Sequence, residues 1–474
     1  MRRLFLAAFF CLALLSLAAQ GKKSSVCRSG ITYDISKSKN WGTKMPVITG
    51  VAPYSSAERA GITQSDIITE IEGINTKNLS ASEIEILLNP VGKRDIELTL
   101  SNFKNPARQV ILRKECKPAN AISEEQLAAA FCMYSLETTS ERRFVCPFKT
   151  TSVNDTVQFS SFKTFAFAPE DANNGDLERV INRAIQSELM EKGLEPDGTD
   201  PDLRVETFYY FDRNPNYKGQ NSVAIKTEKT FRYDFRRNAM VELPLLSPSA
   251  SESEAAYLLQ FGFRLIDCKI QPGRVIWECE ANELLKEPFR LEDYARMHVP
   301  LMCFQFPYIR FKQNVPFTVI QRAYNYTGLN FNMDKLNEVA AVDANSPAAE
   351  AGIVAGDIIE RIDEHKLSYS IDEFSAAYRQ FITNTFSYRD PKTQYTDVNG
   401  FTRCMLWDAF QYPNIADAFQ NENNLTAFSY LYAFTPYVNP TGNNSCTLTI
   451  VRKKERSEVI IRPTIRKEVT IELK

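Results

Sequence analysis

Two stretches of the chain carry the same succession of apolar and polar positions. Pro46 to Gly73 reads as an apolar strand, a small-residue turn, one helical turn ending at Gly61, and a new strand opened by Asp66, Ile67 and Ile68. Asn337 to Glu364 repeats that order, with Gly352 at the helix end and Asp357, Ile358 and Ile359 opening the strand. Ser346 before Pro347 puts a cap residue ahead of a proline suited to the first helical turn. Gly61 and Gly352 stand where a short helix favours a left-handed residue. Downstream of the first copy, Leu79 to Asn89 has helical spacing, with Ile84, Leu87 and Leu88 on one face and Ser82 as the candidate cap. Asp95 to Leu100 and Gln109 to Arg113 then alternate as a closing hairpin. In the second copy Phe374, Ala377, Tyr378 and Phe381 mark a helix over Ser370 to Ile382, and Cys446 to Val451 with Glu458 to Arg462 close the unit.

The stretch between the copies has a different pattern. Phe159, Phe162, Phe165 and Phe167 mark an aromatic strand region. Leu177, Val180, Ile181, Ala184, Ile185 and Leu189 form a helical stripe, with Asp176 as candidate cap and Gly193 as stop. Pro201 to Glu206 opens a strand. Thr230 to Leu243 and Phe263 to Glu280 read as hairpins, with a helix over Glu252 to Gln260 between them, and the helix–glycine–strand phrase recurs weakly at Leu259 to Asp267.

The Ser346–Pro347–Ala348, Ala351–Gly352–Ile353 and Gly356-to-Ile359 signatures resemble the bacterial PDZ domain. The first copy is a looser match, with Ser65 where the family prefers glycine. The expected fold class is therefore multidomain α+β: two PDZ-like small β-barrel or sandwich domains with two helices each, flanking a central domain of antiparallel strands and helices. The expected boundaries are a signal peptide at 1–20, the first PDZ-like domain at 27–116, a linker with a short helix at 117–152, the central domain at 153–309 and the second PDZ-like domain at 310–474. The central helix, the Lys192–Gly193–Leu194 stop and the strand entry at Pro201 resemble an uncharacterised domain of bacterial cell-envelope lipoproteins.

Resemblance to PDZ domains implies a groove between one strand and the long helix. An extended partner segment joins the sheet edge there, and backbone N–H groups hold its terminal carboxylate. Gly328, Leu329, Asn330 and Phe331 match the carboxylate loop of the second copy, with Phe374 and Tyr378 as helix-side neighbours. Gly30, Ile31, Thr32 and Tyr33 are the counterpart in the first.

Residues 383–445 are an insertion in the second copy. Between Phe386 and Tyr437 there are 13 aromatic residues in 52 positions, 25% against 11% for the chain. Such a length exceeds a mere connection. The rings either build a satellite core or form a platform for a peptide or glycan partner.

The first residues suggest a compartment. A basic start at Arg2 and Arg3, an apolar run from Leu4 to Ala19 and small residues near Ala18 to Gln20 fit a cleavable secretory signal. Cys27 lies too far from that run for a lipid-anchor signal, and no later stretch is apolar enough to span a membrane. Export to the periplasm or to an outer-membrane-associated site follows as the expectation. It permits disulfides, with Cys27–Cys116, Cys132–Cys146, Cys268–Cys279 and Cys404–Cys446 as candidate pairs.

Charge and composition then narrow the chemistry. With 56 Lys+Arg against 58 Asp+Glu, the chain has no global field for gripping nucleic acid. His298 and His365 are its only histidines; His298 reads as structural and His365 as a solvent-facing turn residue. No nucleophile motif, zinc helix, P-loop or dinucleotide glycine pattern occurs. The expectation is a non-enzymatic envelope adaptor that binds protein C-termini or extended segments, without cofactor or metal. The alternatives are an envelope enzyme or protease-associated factor with its site in the central domain or the insertion, or a structural component with vestigial grooves.

Overall fold

A computed structural model describes residues 25–473, apart from 53, 125–139, 146–147, 153–156, 220–229, 235–238, 244–252, 254, 286–287, 311–315, 333, 364 and all but a few of 367–444. Residues 1–20, expected as a signal peptide, Cys132, Cys146, Cys404, Phe374, Tyr378 and nearly all of the aromatic insertion lie outside the described residues. The chain forms two compact units. One comprises Met1–Arg28, Glu115–Thr139 and Arg322–Lys467; the other comprises Ser29–Lys114, Ser140–Gln321 and Glu468–Lys474.

The second of these units contains the first repeat and the central domain. Strands Ile31–Ile35, Pro46–Val51, Ile67–Ile71, Asp95–Ser101 and Arg108–Arg113 lie side by side in that order, with Ile74–Asn75 paired to Ile67–Ile71. Alternation does the sorting: Ile96, Leu98 and Leu100 turn inward and meet Ile48, Ile68, Ile71 and Leu112. Helix Ala81–Leu88 closes this core with Ile84 and Leu88. Its cap is Ser80, two residues before the expected Ser82, because Glu83 completes a capping box with Ser80.

The central sheet has the order Phe148–Thr151, Arg274–Leu285, Tyr257–Asp267, Leu203–Arg213, Thr164–Phe167, Glu195–Pro196. Helix Gly175–Glu191 buries Ile181, Ile185 and Leu189 in the core, as its stripe requires. Its N-cap position is Asn174, earlier than the expected Asp176 and without a side-chain cap hydrogen bond, and it ends as Gly193 takes φ +97°. Helix Leu291–Cys303 has no counterpart in the sequence reading; Pro300 sits inside it, and almost all of its second half is buried.

The helix expected over Glu252 to Gln260 is not formed at its C-terminal end. Tyr257 to Asp267 is one strand, because Leu259, Phe261, Phe263 and Leu265 alternate inward with period two. That strand pairs with Arg274–Leu285 through Asp267 opposite Arg274, so the loop is longer than two residues. Cys279 therefore stands opposite Phe263 and not Cys268, and neither cysteine is in a disulfide.

The first repeat and the central domain share one core. Trp41 meets Phe103 in a tilted pair at 4.7 Å, and Phe103 stacks on Phe306 at 5.5 Å. Trp41 Nε1 donates to Ser65 O at 2.7 Å, and Asn40 Nδ2 donates to Val157 O at 2.6 Å.

The other unit contains the second repeat. Its sheet runs Glu455–Ile461, Cys446–Arg452, Ile358–Ile362, Lys335–Val342, Leu329–Asn332, Ala121–Ser123, with His365–Lys366 paired to Ile358–Ile362. Ser346 caps Pro347–Glu350 by accepting from Ala349 N, as the sequence pattern expects. Strands Ser25–Arg28 and Glu115–Pro118 pair antiparallel, and Cys27–Cys116 forms the expected disulfide across them. Cys446 is a buried free thiol, and its candidate partner Cys404 lies outside the described residues. Much of the described part of the supposed linker is thus strand: Glu115–Pro118 and Ala121–Ser123 find partners remote in sequence, which local polarity does not reveal.

Candidate functional site

The two repeats build the same turn ahead of their groove strand. Gly30 takes φ +77° and Gly328 takes φ +82°. Each glycine is pressed against a helix-capping serine. A Cβ on Gly30 would lie 2.5 Å from Ser55 Cβ, and one on Gly328 would lie 2.1 Å from Ser346 Cβ. Ser55 and Ser346 cap the short helices Ser56–Arg59 and Pro347–Glu350. The resemblance at Gly30, faint in the sequence, is therefore close in geometry.

In the first repeat the strand Ile31–Ile35 is the edge of its sheet, with Pro46–Val51 on one side and no partner on the other among the described residues. Ile31, Tyr33 and Ile35 are half-buried against the core. Tyr33 reaches across to helix Ala81–Leu88, where its hydroxyl donates to Glu85 Oε2 at 3.2 Å. Burial, reinforced by Glu85, pushes the Tyr33 phenol up to about 12, so it remains a donor at neutral pH. Thr32 instead meets Thr49 Oγ1 at 3.1 Å on the neighbouring strand and takes no part in this bridge.

In the second repeat the corresponding edge is filled. Ala121–Ser123 runs antiparallel to Leu329–Asn332, with Asn330 opposite Ser123, Phe331 opposite Ile122 and Asn332 opposite Ala121. The next residue, Glu124, places its carboxylate in the turn. Thr327 N donates to Oε2 at 2.9 Å, Gly328 N donates to Oε2 at 3.1 Å, and the Thr327 hydroxyl donates to Oε1. Glu124 is only 3% exposed. Burial raises its carboxyl to about 7, against the lowering effect of those three donors, and nearby Asp343 adds to the rise.

Leu329, Asn330 and Phe331 are all buried. Asn330 Nδ2 donates to Asp343 Oδ1 at 2.9 Å and its Oδ1 accepts from Lys117 Nζ at 2.9 Å. Lys117 also meets Asp343 Oδ1 at 2.9 Å. Glu124, Thr327 and Lys117 were not singled out from the sequence. A residue whose partner lies some two hundred positions away leaves no local signal.

A cavity of about 600 Å³ lies between the first repeat and the central domain, lined by Trp41, Asp66, Phe103, Glu188, Lys192 and Phe304, among others. Its polar groups do not form a nucleophile and base. Asp66 is held by Thr63 N, Asn102 and Arg108. Burial lowers Lys192, and burial raises Cys303 well above its ordinary range despite the Lys192 charge, so this thiol stays neutral and inert. His298 is buried and stacked on Tyr294 at 3.7 Å, with Nδ1 2.8 Å from Tyr294 O, a structural setting. Among the described residues no cluster of three or more His, Cys, Asp or Glu side chains is placed to hold a metal, and no helix is long and apolar enough to cross a membrane.

Comparison with known proteins agrees with this arrangement. The PDZ domain family matches residues 19–101, and a second PDZ family matches 338–380. A domain of unknown function, DUF4136, matches 149–308. No curated protein matches the chain. The crystal structure of a PDZ domain protein from Parabacteroides distasonis ATCC 8503 is 57% identical, covering 95% of this chain and 100% of that one, with a TM-score of 0.78. A photosystem II D1 C-terminal processing protease is 18% identical over 38% of this chain and 41% of its own, with a TM-score of 0.17. A PelC dodecamer from Paraburkholderia phytofirmans is 11% identical over 35% and 97%, with a TM-score of 0.15. Likeness at those two scores bears on neither fold nor activity. With more than half its residues shared along the full length of the Parabacteroides protein, the chain belongs to the PDZ domain proteins, and in it two PDZ domains flank a DUF4136 domain.

Proposed function

We propose that this protein is a non-enzymatic adaptor of the bacterial cell envelope that captures extended or C-terminal segments of other proteins through its PDZ domains. The observation that carries this reading is the Gly328 turn, whose N–H groups with those of Thr327 hold a carboxylate. The Gly30 turn has the same backbone form against the same kind of capping serine, and it leads into an edge strand with an unpartnered outer side among the described residues. A strand added there would gain ladder hydrogen bonds, and its terminal carboxylate would meet the Gly30 turn. Export is supported by the Cys27–Cys116 disulfide, which suits an oxidising compartment.

A second reading, a structural component whose grooves pack only on its own chain, is favoured by the filling of the second groove with Ala121–Ser123. Titration of the full chain with free-acid C-terminal octapeptides and their amidated copies separates the two, each peptide carrying a photoreactive group. Capture predicts binding weakened about tenfold or more by amidation and cross-links within Ile31–Ile35 or Ala81–Leu88. Equal binding of amidated peptides, or none of either form, overturns it.

A further inference from the structure

The occupant of the second repeat's sheet edge follows the backbone course of a ligand. It is extended, it runs antiparallel to the groove strand, and it advances toward the Gly328 turn. Where a terminal carboxylate would end such a strand, the Glu124 side chain supplies one, to two backbone N–H groups and a hydroxyl. The cation beside it does not serve it: Lys117 is engaged by Asp343 and Asn330.

The ladder that seats the segment is short. Three residue pairs join the segment to the strand, and Asn120 Nδ2 donates to Asn332 Oδ1 and Asp334 Oδ2 at 3.1 Å each at its start. A buried carboxylate held by neutral donors, with Asp343 close by, keeps part of its desolvation cost.

We propose that Ala121–Glu124 is a built-in ligand of the second PDZ groove, with Glu124 standing for a terminal carboxylate, and that a partner C-terminus enters this groove only by displacing it. This rests on the reading of PDZ capture given above and assigns regulation to it. The outer edge of the first groove strand is unpartnered among the described residues, and the second groove is masked in cis. If the segment is seated nine-tenths of the time, the apparent affinity of the second groove falls about tenfold.

The test uses a fluorescent hexapeptide copying residues 119–124, amidated at its end so that the glutamate side chain is its only carboxylate. It is titrated against the full chain, Glu124→Ala and Glu124→Gln, the last preserving the side-chain shape. Glu124→Ala should bind the probe at least about tenfold more tightly than the unaltered chain, whereas Glu124→Gln, uncharged like the protonated seated carboxyl, should stay masked. A free-acid C-terminal peptide saturating the unaltered chain should speed hydrogen exchange at the Ala121–Ser123 amides. Equal probe binding by all three chains, or a bound free-acid peptide that leaves those amides protected, overturns masking while leaving capture at Ile31–Ile35 intact. Loss of cross-links to Ile31–Ile35 instead removes the capture reading itself.

Discussion

Asp66 and Asp357 fill the same buried corner of the two PDZ domains. Each accepts the N–H three residues before it, Thr63 and Val354, at 2.9 Å. Each is then gripped by an arginine from a late strand, Arg108 at 3.0 Å and Arg452 at 2.7 Å. The aspartate of the repeated Asp-Ile-Ile phrase is thus a structural anchor. Burial would raise the Asp357 carboxyl, but the Arg452 guanidinium and the Val354 N–H outweigh it and hold it below the usual range. A lowered acid stabilises the fold above its unfolded pKa, and this contribution is lost as pH falls through the lowered value. Arg452→Met should destabilise the second PDZ domain at neutral pH, by less than the loss of a fully buried pair because Arg452 remains 43% exposed. Hydrogen exchange across Ile358–Ile362 measures this, and the gap from the unaltered chain should close below about pH 4.

Gly328 and Gly352 both adopt positive φ, but their surroundings differ. A Cβ at Gly328 meets Ser346 within 2.3 Å, whereas one at Gly352 meets nothing within 4 Å. Gly352→Ala should therefore cost only the conformational term, about 1 kcal/mol. Gly328→Ala should cost at least twice that, because Ser346 is fixed at a helix cap. Thermal unfolding of the two variants gives the comparison, and equal melting temperatures would contradict the steric account.

What the sequence disclosed was whatever depends on near neighbours. The capping Ser346, the glycine stops at Gly61, Gly193 and Gly352, and the alternation of Ile96, Leu98 and Leu100 all act within a few residues. The Gly328 turn was legible for the same reason. Glu124 was not, because its role is created by pairing with Thr327 across two hundred residues and Glu is an ordinary polar letter. The central strand Tyr257–Asp267 was partly obscured because Leu259, Phe261, Phe263 and Leu265 share their residue types with a buried helix, and pairing with Leu203–Arg213 decides between them.

Cys27 and Cys116 stand directly opposed and close a loop spanning 89 residues that contains the first PDZ domain. In the chain-entropy account a loop of that length is worth about 4–5 kcal/mol. Cys27→Ser with Cys116→Ser should lower the denaturant midpoint accordingly, and an unchanged midpoint would argue against a stabilising role. In the unaltered chain Cys268, half-buried, should alkylate before the buried Cys279, Cys303 and Cys446. Burial raises the Cys268 and Cys446 thiols, the latter to about 12, so even Cys268 should react slowly. Peptide mapping after timed alkylation gives the order.

Docking of Ala121–Glu124 should weaken as pH rises. Burial lifts the seated Glu124 carboxyl from 4.5 to about 7, while in a released segment it returns to the ordinary range. The seated form therefore binds its proton more tightly. Its advantage is complete below about pH 4.5 and is lost as pH climbs through about 7. The groups facing this seat do not reverse the sign. Asp343 adds negative charge, Lys117 is bound to Asp343, and the Tyr326 phenol, raised by burial and Asp343, stays neutral beneath Arg466. Exchange protection at Ala121–Ser123, corrected for intrinsic rates, should fall by about tenfold or more between pH 5 and pH 8. In Glu124→Gln, which has no proton to lose, the profile should be flat. Protection that rises with pH, or an equal fall in Glu124→Gln, would show that the Glu124 carboxyl does not govern the seating of this segment.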